Sequence, residues 1–524
     1  MGKKKGMPME GQNYLKGGEL WINVILVIVG AFMAVLDTTI VDIIVPRLKG
    51  PLSTDIYGVQ WVITSYMMAA AVGLLVVEWL IKRFGAKEVY LWGVALFTGA
   101  SFLCGVSLSL SEMILFRAIQ GFGEALIMVT SQAMIFSFFP PEKRGLAIGI
   151  FALGVAFAPA VGPTIGGYLT EWFGWRSVFF VNVPIGLLLL LFGIPLLPSR
   201  WPRANYPLNL QSLLFLTLFT LSLLILLSKG QQYGWFHSEL IVYLAFASGF
   251  GMVGFLISET LSKTPLFHYP LFKNPYYSIG ILVYFILLGF SMYQYFYLIP
   301  IYYEQLKGFS SIQTGYGVLG FGLWIGIFSV LAGALSDKIS PIPILVGAGL
   351  LYLFTTGFLF PTLNYYTPFI EAVIKTTPFG VAMGLFFAPI TLMVMENSGG
   401  RVEQGVMVMD YVRFIGGSFG TAIATNNLVY FKEEQMEGIG ILQNRELVET
   451  LLTKLEYLFG PLRGEAFLYK VEEFFGFNYG FKSIWLDAMF WGALGTFFIF
   501  LLPVVQWWEG EGSKKVTPSK KNRE

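Results

Sequence analysis

Apolar runs of about twenty residues, the length that crosses a bilayer as a helix, recur along this chain between short polar breaks. They lie near residues 21–45, 59–81, 88–108, 112–137, 145–169, 177–197, 210–228, 239–261, 276–302, 313–335, 342–361, 371–395, 404–430 and 482–505. The pattern predicts an all-α membrane protein with 14 transmembrane helices. One break, 431–481, is long. Within it "RELVETLLTKLEYLF" (445–459) carries apolar residues at 447, 448, 451, 452, 455, 458 and 459, one stripe of an amphipathic helix. Gly460 and Pro461 end that stripe, and "GEAFLYKVEEFF" (464–475) reads as a second helix. A helical hairpin over the outer mouth is therefore expected there, as a docking or gating element or as an interfacial hairpin resting on lipid.

Basic residues orient the spans. With the N-terminus in the cytoplasm, 20 Lys and Arg fall on the cytoplasmic side, against Arg47, Lys49, Arg176, Lys229 and Lys307 in the short outer loops. Both termini are thus expected inside: a tail over 1–20, a second over 506–524, and an uncleaved first span. Composition agrees with the spans, since 13% of residues are charged where soluble domains carry about 25%. The single cysteine, Cys104, excludes an intramolecular disulfide, and the two histidines, His237 and His268, are far apart in sequence. There is no G-x-x-x-x-G-K-[ST] loop. Nothing here points to an enzyme, a cofactor, a metal site or nucleic-acid binding.

The chemistry lies in charges placed where lipid would exclude them. "FMAVLDTTIVDIIVP" (32–46) holds Asp37 and Asp42, and an acid near a span centre costs roughly 2.5–3.5 kcal/mol on insertion scales. Asp42 sits nearer the outer surface and reads as a wetted mouth residue. Arg117 and Glu124, seven apart in the fourth span, share a face about 10 Å apart along the axis. That separation excludes a direct pair, so Arg117 needs an acid on another helix. Asp410 and Arg413 stand at i and i+3, close enough to pair locally. In "GVAFAPAVGPTIGG" small residues at 154, 158, 162 and 166 form a ladder that admits a close helix neighbour, while Pro159 and Pro163 remove backbone donors. "GFSMYQYFYLIPIYYEQLKGFS" (289–310) places Tyr293, Phe296 and Tyr297 on one face, a surface that suits flat apolar molecules and organic cations or plain packing.

Features repeat between the ends of the chain. "EWLIKRFGAK" (78–87) follows the second span, and "GALSDKISP" (333–341) follows the second span of the later part; "GPTIGGYL" (162–169) and "GGSFGTAI" (416–423) also correspond. This indicates two six-helix halves, 21–197 and 276–505, with two extra helices in the linker 198–275. "LDTTIVDIIVP" (36–46), "FRAIQGFGEAL" (116–126), "GVAFAPAVGPTIGGYL" (154–169) and "WRSVFFVNVPIG" (175–186) then occur in order. With these motifs the chain resembles the major facilitator drug:proton antiporters of the fourteen-helix EmrB/QacA branch, most closely EmrB-type multidrug exporters. It departs from that pattern where Glu78 and Lys82 replace a Gly and an Asp, where Glu124 replaces a small residue, and where Asp42 stands for Asn. The second-half copy keeps Gly333 and Asp337, so the gating charges are expected to rely on that half alone.

The resemblance implies export of lipophilic or cationic compounds from the inner membrane, driven by protons through alternating access. Glu124, an extra acid in the membrane, reads as a second proton-coupling site or an attraction point for cations, and substrate contact is expected at Asp37, Gln120, Glu124, Tyr293, Phe296 and Tyr297; the resemblance ties Asp37 and Arg117 to proton coupling. It makes Gly154, Pro159, Gly162, Pro163, Gly166, Gly167 and Asp337 sealing or gating positions, and Asp410 with Arg413 a second-half charge pair. An EmrB-type protein would work with an EmrA-type periplasmic adaptor and an outer-membrane channel, a QacA-type one alone. Asp37 would also fit an acid that caps a broken helix or pairs permanently with a base, Arg117 a fixed structural ion pair, and Glu124 a protonated core residue. A dedicated metabolite exporter or a proton-coupled uptake symporter shares the fold. A non-transporting membrane receptor would leave the buried charges without a task.

Overall fold

The structure, a computed structural model, describes residues 15–54, 56–199, 207–442 and 461–515, together with residues 453 and 457. It is an all-α, multi-span membrane protein, with no strand among the described residues. The long helices are α1 (Gly17–Leu48), α2 (Ile56–Phe84), α3 (Ala86–Val106), α4 (Leu110–Phe138), α5 (Arg144–Phe173), α6 (Asn182–Leu196), α7 (Leu210–Lys229) and α8 (Glu239–Leu261). They continue with α9 (Pro275–Leu306), α10 (Ser311–Ser336), α11 (Pro341–Thr362), α12 (Phe369–Glu396), α13 (Val402–Leu442) and α14 (Pro461–Lys515). Among the described residues 12 of these are long and apolar enough to cross a membrane; α5 and α13 complete the set of long helices. Helix α9 is wound more loosely over Tyr284–Met292 and Tyr302–Leu306, in π turns.

Helices α1–α6 pack on one another, α9–α14 do the same, and α7 and α8 pair with each other. In the second group the core is aromatic: Tyr295, Phe360, Phe379 and Trp485 are all buried, and the Tyr295 and Trp485 rings stack at 5.7 Å. The two groups meet most extensively along α5 and α10, with further contact of α13 on α2 and α4 and of α12 on α5. Glycine makes that approach possible. A Cβ at Gly145 would lie 2.3 Å from the Gly333 carbonyl oxygen, and one at Gly333 would lie 2.1 Å from that of Gly145. Helix α8 turns Tyr243, Phe246 and Phe250 outward, as a lipid-facing helix does.

The long break is arranged differently from its sequence reading. The segment 464–475 is no separate helix but the beginning of α14, and α13 runs on to Leu442. Gly476 and Gly480 keep the extensions together: Cβ atoms there would meet the Lys432 backbone at 2.9 and 3.3 Å. Lys432 also lies over the Phe477 ring at 4.7 Å. The stripe 445–459 lies outside the described residues apart from Thr453 and Tyr457, as do the tail residues 1–14 and 516–524.

Candidate functional site

Five helices bring polar side chains to one point inside the first group. Asp37 on α1 is fully buried, and Arg117 on α4 is 1% exposed. The guanidinium donates to Asp37 Oδ2 at 2.5 Å, so the acid that Arg117 requires is Asp37. Gln120, one turn along α4, donates from Nε2 to Asp37 Oδ1 at 2.9 Å. Asn182 at the start of α6 donates to the same oxygen at 2.6 Å. Ser101 Oγ on α3 accepts from Gln120 at 2.6 Å and from Asn182 at 3.3 Å. The guanidinium further donates to Gln120 Oε1 at 2.7 Å and to the Val62 carbonyl at 3.2 Å. It also sits 4.0 Å from the centre of the Tyr66 ring on α2. Gly121 lets α2 come this near, for a Cβ there would be 2.1 Å from the Tyr66 carbonyl oxygen.

Both charges at this point are thus hydrogen-bonded, which is what a buried ion pair needs to repay its desolvation, while Asn182 Oδ1 is buried without a partner. The structure brings Asp37, Arg117 and Gln120 together, where the sequence asked only for an acid on another helix beside Arg117. Asn182 and Ser101 were not singled out in sequence. The signal for Asn182 was a lone amide inside "WRSVFFVNVPIG"; Ser101 offered none.

Glu124 lies outside this network. Its side chain is half-buried beside Tyr66, within electrostatic range of Asp37, Arg117 and Arg413, and its Oε2 is buried without a hydrogen-bond partner. Across the molecule Asp410 and Arg413 on α13 pair at 3.0 Å, and Gln132 on α4 donates to Asp410 Oδ2 at 2.7 Å. Glu124 therefore stands between a charge pair in each group. Tyr293 on α9 faces Arg413 and packs edge-on against Phe296 at 6.2 Å. Phe296 stacks on Phe321 of α10, and Tyr297 is half-buried. Between them Gln294 is fully buried, and neither its amide nitrogen nor its oxygen has a partner. The aromatic face thus combines packing rings with an amide whose hydrogen bonds remain open.

The glycine ladder meets a partner that its sequence did not name. Cβ atoms at Gly154, Gly162 and Gly166 would strike Ile28, Thr39 and Ile40 of α1, so the ladder seats α5 on its own group. Only Gly167 among the four faces α10, at Ile312. The seal between groups lies lower, at Gly145, Gly149 and Gly333. There Asp337 accepts from the backbone N–H of Gly145 at 2.7 Å and of Leu146 at 2.9 Å. An acid from one group thereby caps the first turn of α5 in the other, where the helix dipole favours negative charge. Burial holds the Asp337 carboxyl above its usual range, and the two N–H donors pull it part of the way back. On α2, Glu78 and Lys82 pair with each other within electrostatic range of Arg401 and Glu403. Helix α5 continues through Pro159 and Pro163, whose side chains, like that of Asp42, lie outside the described residues.

The family model described as Major Facilitator Superfamily matches residues 27–421. The chain is 29% identical to the multidrug export protein EmrB of Haemophilus influenzae over 417 residues, covering 78% of this chain and 81% of that protein. It is 30% identical to the riboflavin transporter RibZ of Clostridioides difficile over 418 residues, covering 77% and 87%. Among solved structures, the proton:xylose symporter XylE bound to 6-bromo-6-deoxy-D-glucose superposes with a TM-score of 0.56 at 14% identity, covering 92% of this chain and 95% of that one. That likeness is one of fold.

Proposed function

This chain belongs to the Major Facilitator Superfamily, and on that footing we propose that it is a proton-coupled exporter of lipophilic, often cationic compounds. It is a multi-pass transporter of the cytoplasmic membrane and not an enzyme. The reading places it in the fourteen-span EmrB/QacA branch, with two six-helix halves around α7 and α8 and both termini cytoplasmic. Likeness to EmrB supports export of drug-type compounds, and the run of long helices supports the span count.

The observation that carries the proposal is the buried Asp37–Arg117 pair, with Gln120 and Asn182 donating to the carboxylate. While Asp37 is ionised, it neutralises Arg117. A proton on Asp37 removes that compensation and leaves a guanidinium buried without a counter-charge, a costly state. The four helices that hold the pair must then readjust, which couples protonation to their arrangement. Glu124, with an oxygen free to accept, supplies negative charge for a cationic substrate, and the rings of Tyr293, Phe296 and Tyr297 supply its apolar contact. The α5–α10 seam, closed by Asp337 on α5, is the contact that alternating access has to open.

Efflux of a panel of dyes from proteoliposomes under an imposed pH gradient tests this reading. Transport that ignores the gradient would refute proton coupling, and movement along it would refute antiport. A second reading, transport of one dedicated metabolite in either direction, draws support from the likeness to a riboflavin transporter; saturable transport of a single compound and of no dye would favour it. On the EmrB-type reading, the α13 and α14 extensions are where an EmrA-type periplasmic adaptor and an outer-membrane channel would engage.

A further inference from the structure

A groove of about 660 Å³ runs on the outside of the first group, between α2, α3, α4 and α7. None of the side chains of the Asp37 network lines it: α4 contributes Ile114, Ala118, Ile119 and Phe122 rather than Arg117 and Gln120. Its walls include Trp61, Ser65 and Val72 of α2, Ala118 and Phe122 of α4, and Thr217 of α7. All four helices are long and apolar enough to cross a membrane, so the groove opens onto hydrocarbon. The volume lies within the roughly 300–1,000 Å³ of small-molecule sites.

Three observations choose the occupant. The first is length. From Trp61 to Val72 the α2 wall rises about 16 Å at 1.5 Å per residue, about half of a hydrocarbon core of roughly 30 Å. The groove therefore spans one leaflet, the reach of one acyl chain. The second is charge at one end. Lys229, the last residue of α7 and 3% exposed, holds its ammonium 5.5 Å from the Trp61 ring. It donates to Gln60 Oε1 and Gln232 Oε1, both at 3.1 Å. The third is Ser65, one turn inside Trp61, which lines the groove with a buried hydroxyl that has no partner. Thr64 beside it meets Ser228 of α7 at 3.2 Å, so this level is tied to the Lys229 end. Cation, then hydroxyl, then a leaflet's depth of apolar wall is the order of groups in a phospholipid read from phosphate to ester to chain.

We propose that this groove seats one anionic phospholipid of the bilayer. Its chain lies along α2 and α4, its ester carbonyl accepts from Ser65 Oγ, and its phosphate faces Lys229. The lipid fills the space between α7 and the first group, and so serves as part of the packing that holds the added helix pair in place.

Native mass spectrometry of the full chain, released from mild detergent after exchange with vesicles of phosphatidylglycerol and phosphatidylcholine, tests the assignment. The wild-type protein is expected to retain one phospholipid and to prefer phosphatidylglycerol. Lys229→Gln should keep a lipid but reduce that preference roughly tenfold, the change that 1.4 kcal/mol of lost contact makes. Ala118→Phe should empty the groove, and Thr217→Phe repeats the test from the opposite wall if that variant does not fold. Lys229→Gln fills nothing and decides the matter if neither does. Wild-type lipid retention in a folded groove-filled variant would overturn the proposal. So would an unchanged preference in Lys229→Gln, or a free fatty acid in place of the phospholipid.

Discussion

Replacing Asp37 by Asn tests the coupling mechanism directly, because the change keeps shape and removes charge. Asp37 accepts from Arg117 on one oxygen and from Gln120 and Asn182 on the other. Asparagine has one oxygen and one NH2 group. If its oxygen turns to Arg117, its NH2 meets two amide donors. If the oxygen turns to Gln120 and Asn182, the NH2 meets the guanidinium. Either way the second carboxylate acceptor is lost, and Arg117 stays 1% exposed without a counter-charge. Breaking a buried pair from one side costs about 3–5 kcal/mol, and the acceptor that Asn keeps places this variant at the lower end. The expected outcome is a protein that still folds, exchanges substrate across liposomes at equilibrium, and no longer accumulates it against a gradient when a pH difference is imposed. Adding Arg117→Met removes the stranded charge, so the double variant should regain thermal stability in detergent while coupling stays lost. Wild-type rates with wild-type pH dependence in Asp37→Asn would refute the reasoning.

Glu124→Gln should weaken transport of cations more than that of neutral compounds, roughly tenfold for each 1.4 kcal/mol of charge contact removed; equal losses would point to coupling or structure instead. Gly333→Ala puts a methyl group 2.1 Å from the Gly145 carbonyl oxygen, and such overpacking costs about 1–3 kcal/mol. Lower thermal stability and slower transport are expected, and unchanged values would show that the α5–α10 seam is more compliant than its backbone contact implies. Asp337→Asn leaves one side-chain oxygen for the two N–H groups of Gly145 and Leu146, so a stability loss of about 0.5–1.5 kcal/mol is expected from the lost hydrogen bond; unchanged or higher stability would remove the cap from the argument. Deleting 435–478 with a short linker separates docking from gating. Lost cellular resistance with intact liposome efflux supports an adaptor site, loss of both supports a gate, and no change in either refutes both roles.

Sequence by itself determined where the helices lie, because a span must hide every backbone polar group in hydrocarbon and needs about twenty apolar residues to do so. It also exposed Asp37 and Arg117, since charges in such runs stand out against their cost, and it predicted the Asp410–Arg413 contact, which depends only on helix pitch. Tertiary structure decided the partners. Asp37 meets Arg117, Asn182 and Ser101's neighbours across 80 and 145 residues of chain, and no local pattern encodes that meeting. The ladder from Gly154 to Gly166 announced a close neighbour but not that it was α1. The long α14 likewise absorbed a segment that reads as a helix of its own, because Gly476 and Gly480, which look like breaks, are needed for contact with α13. The physical reason is common to these cases. In a bilayer, lipid tails and neighbouring helices are equally apolar, so hydrophobic periodicity fixes that a helix spans and leaves open which of its faces meets which helix.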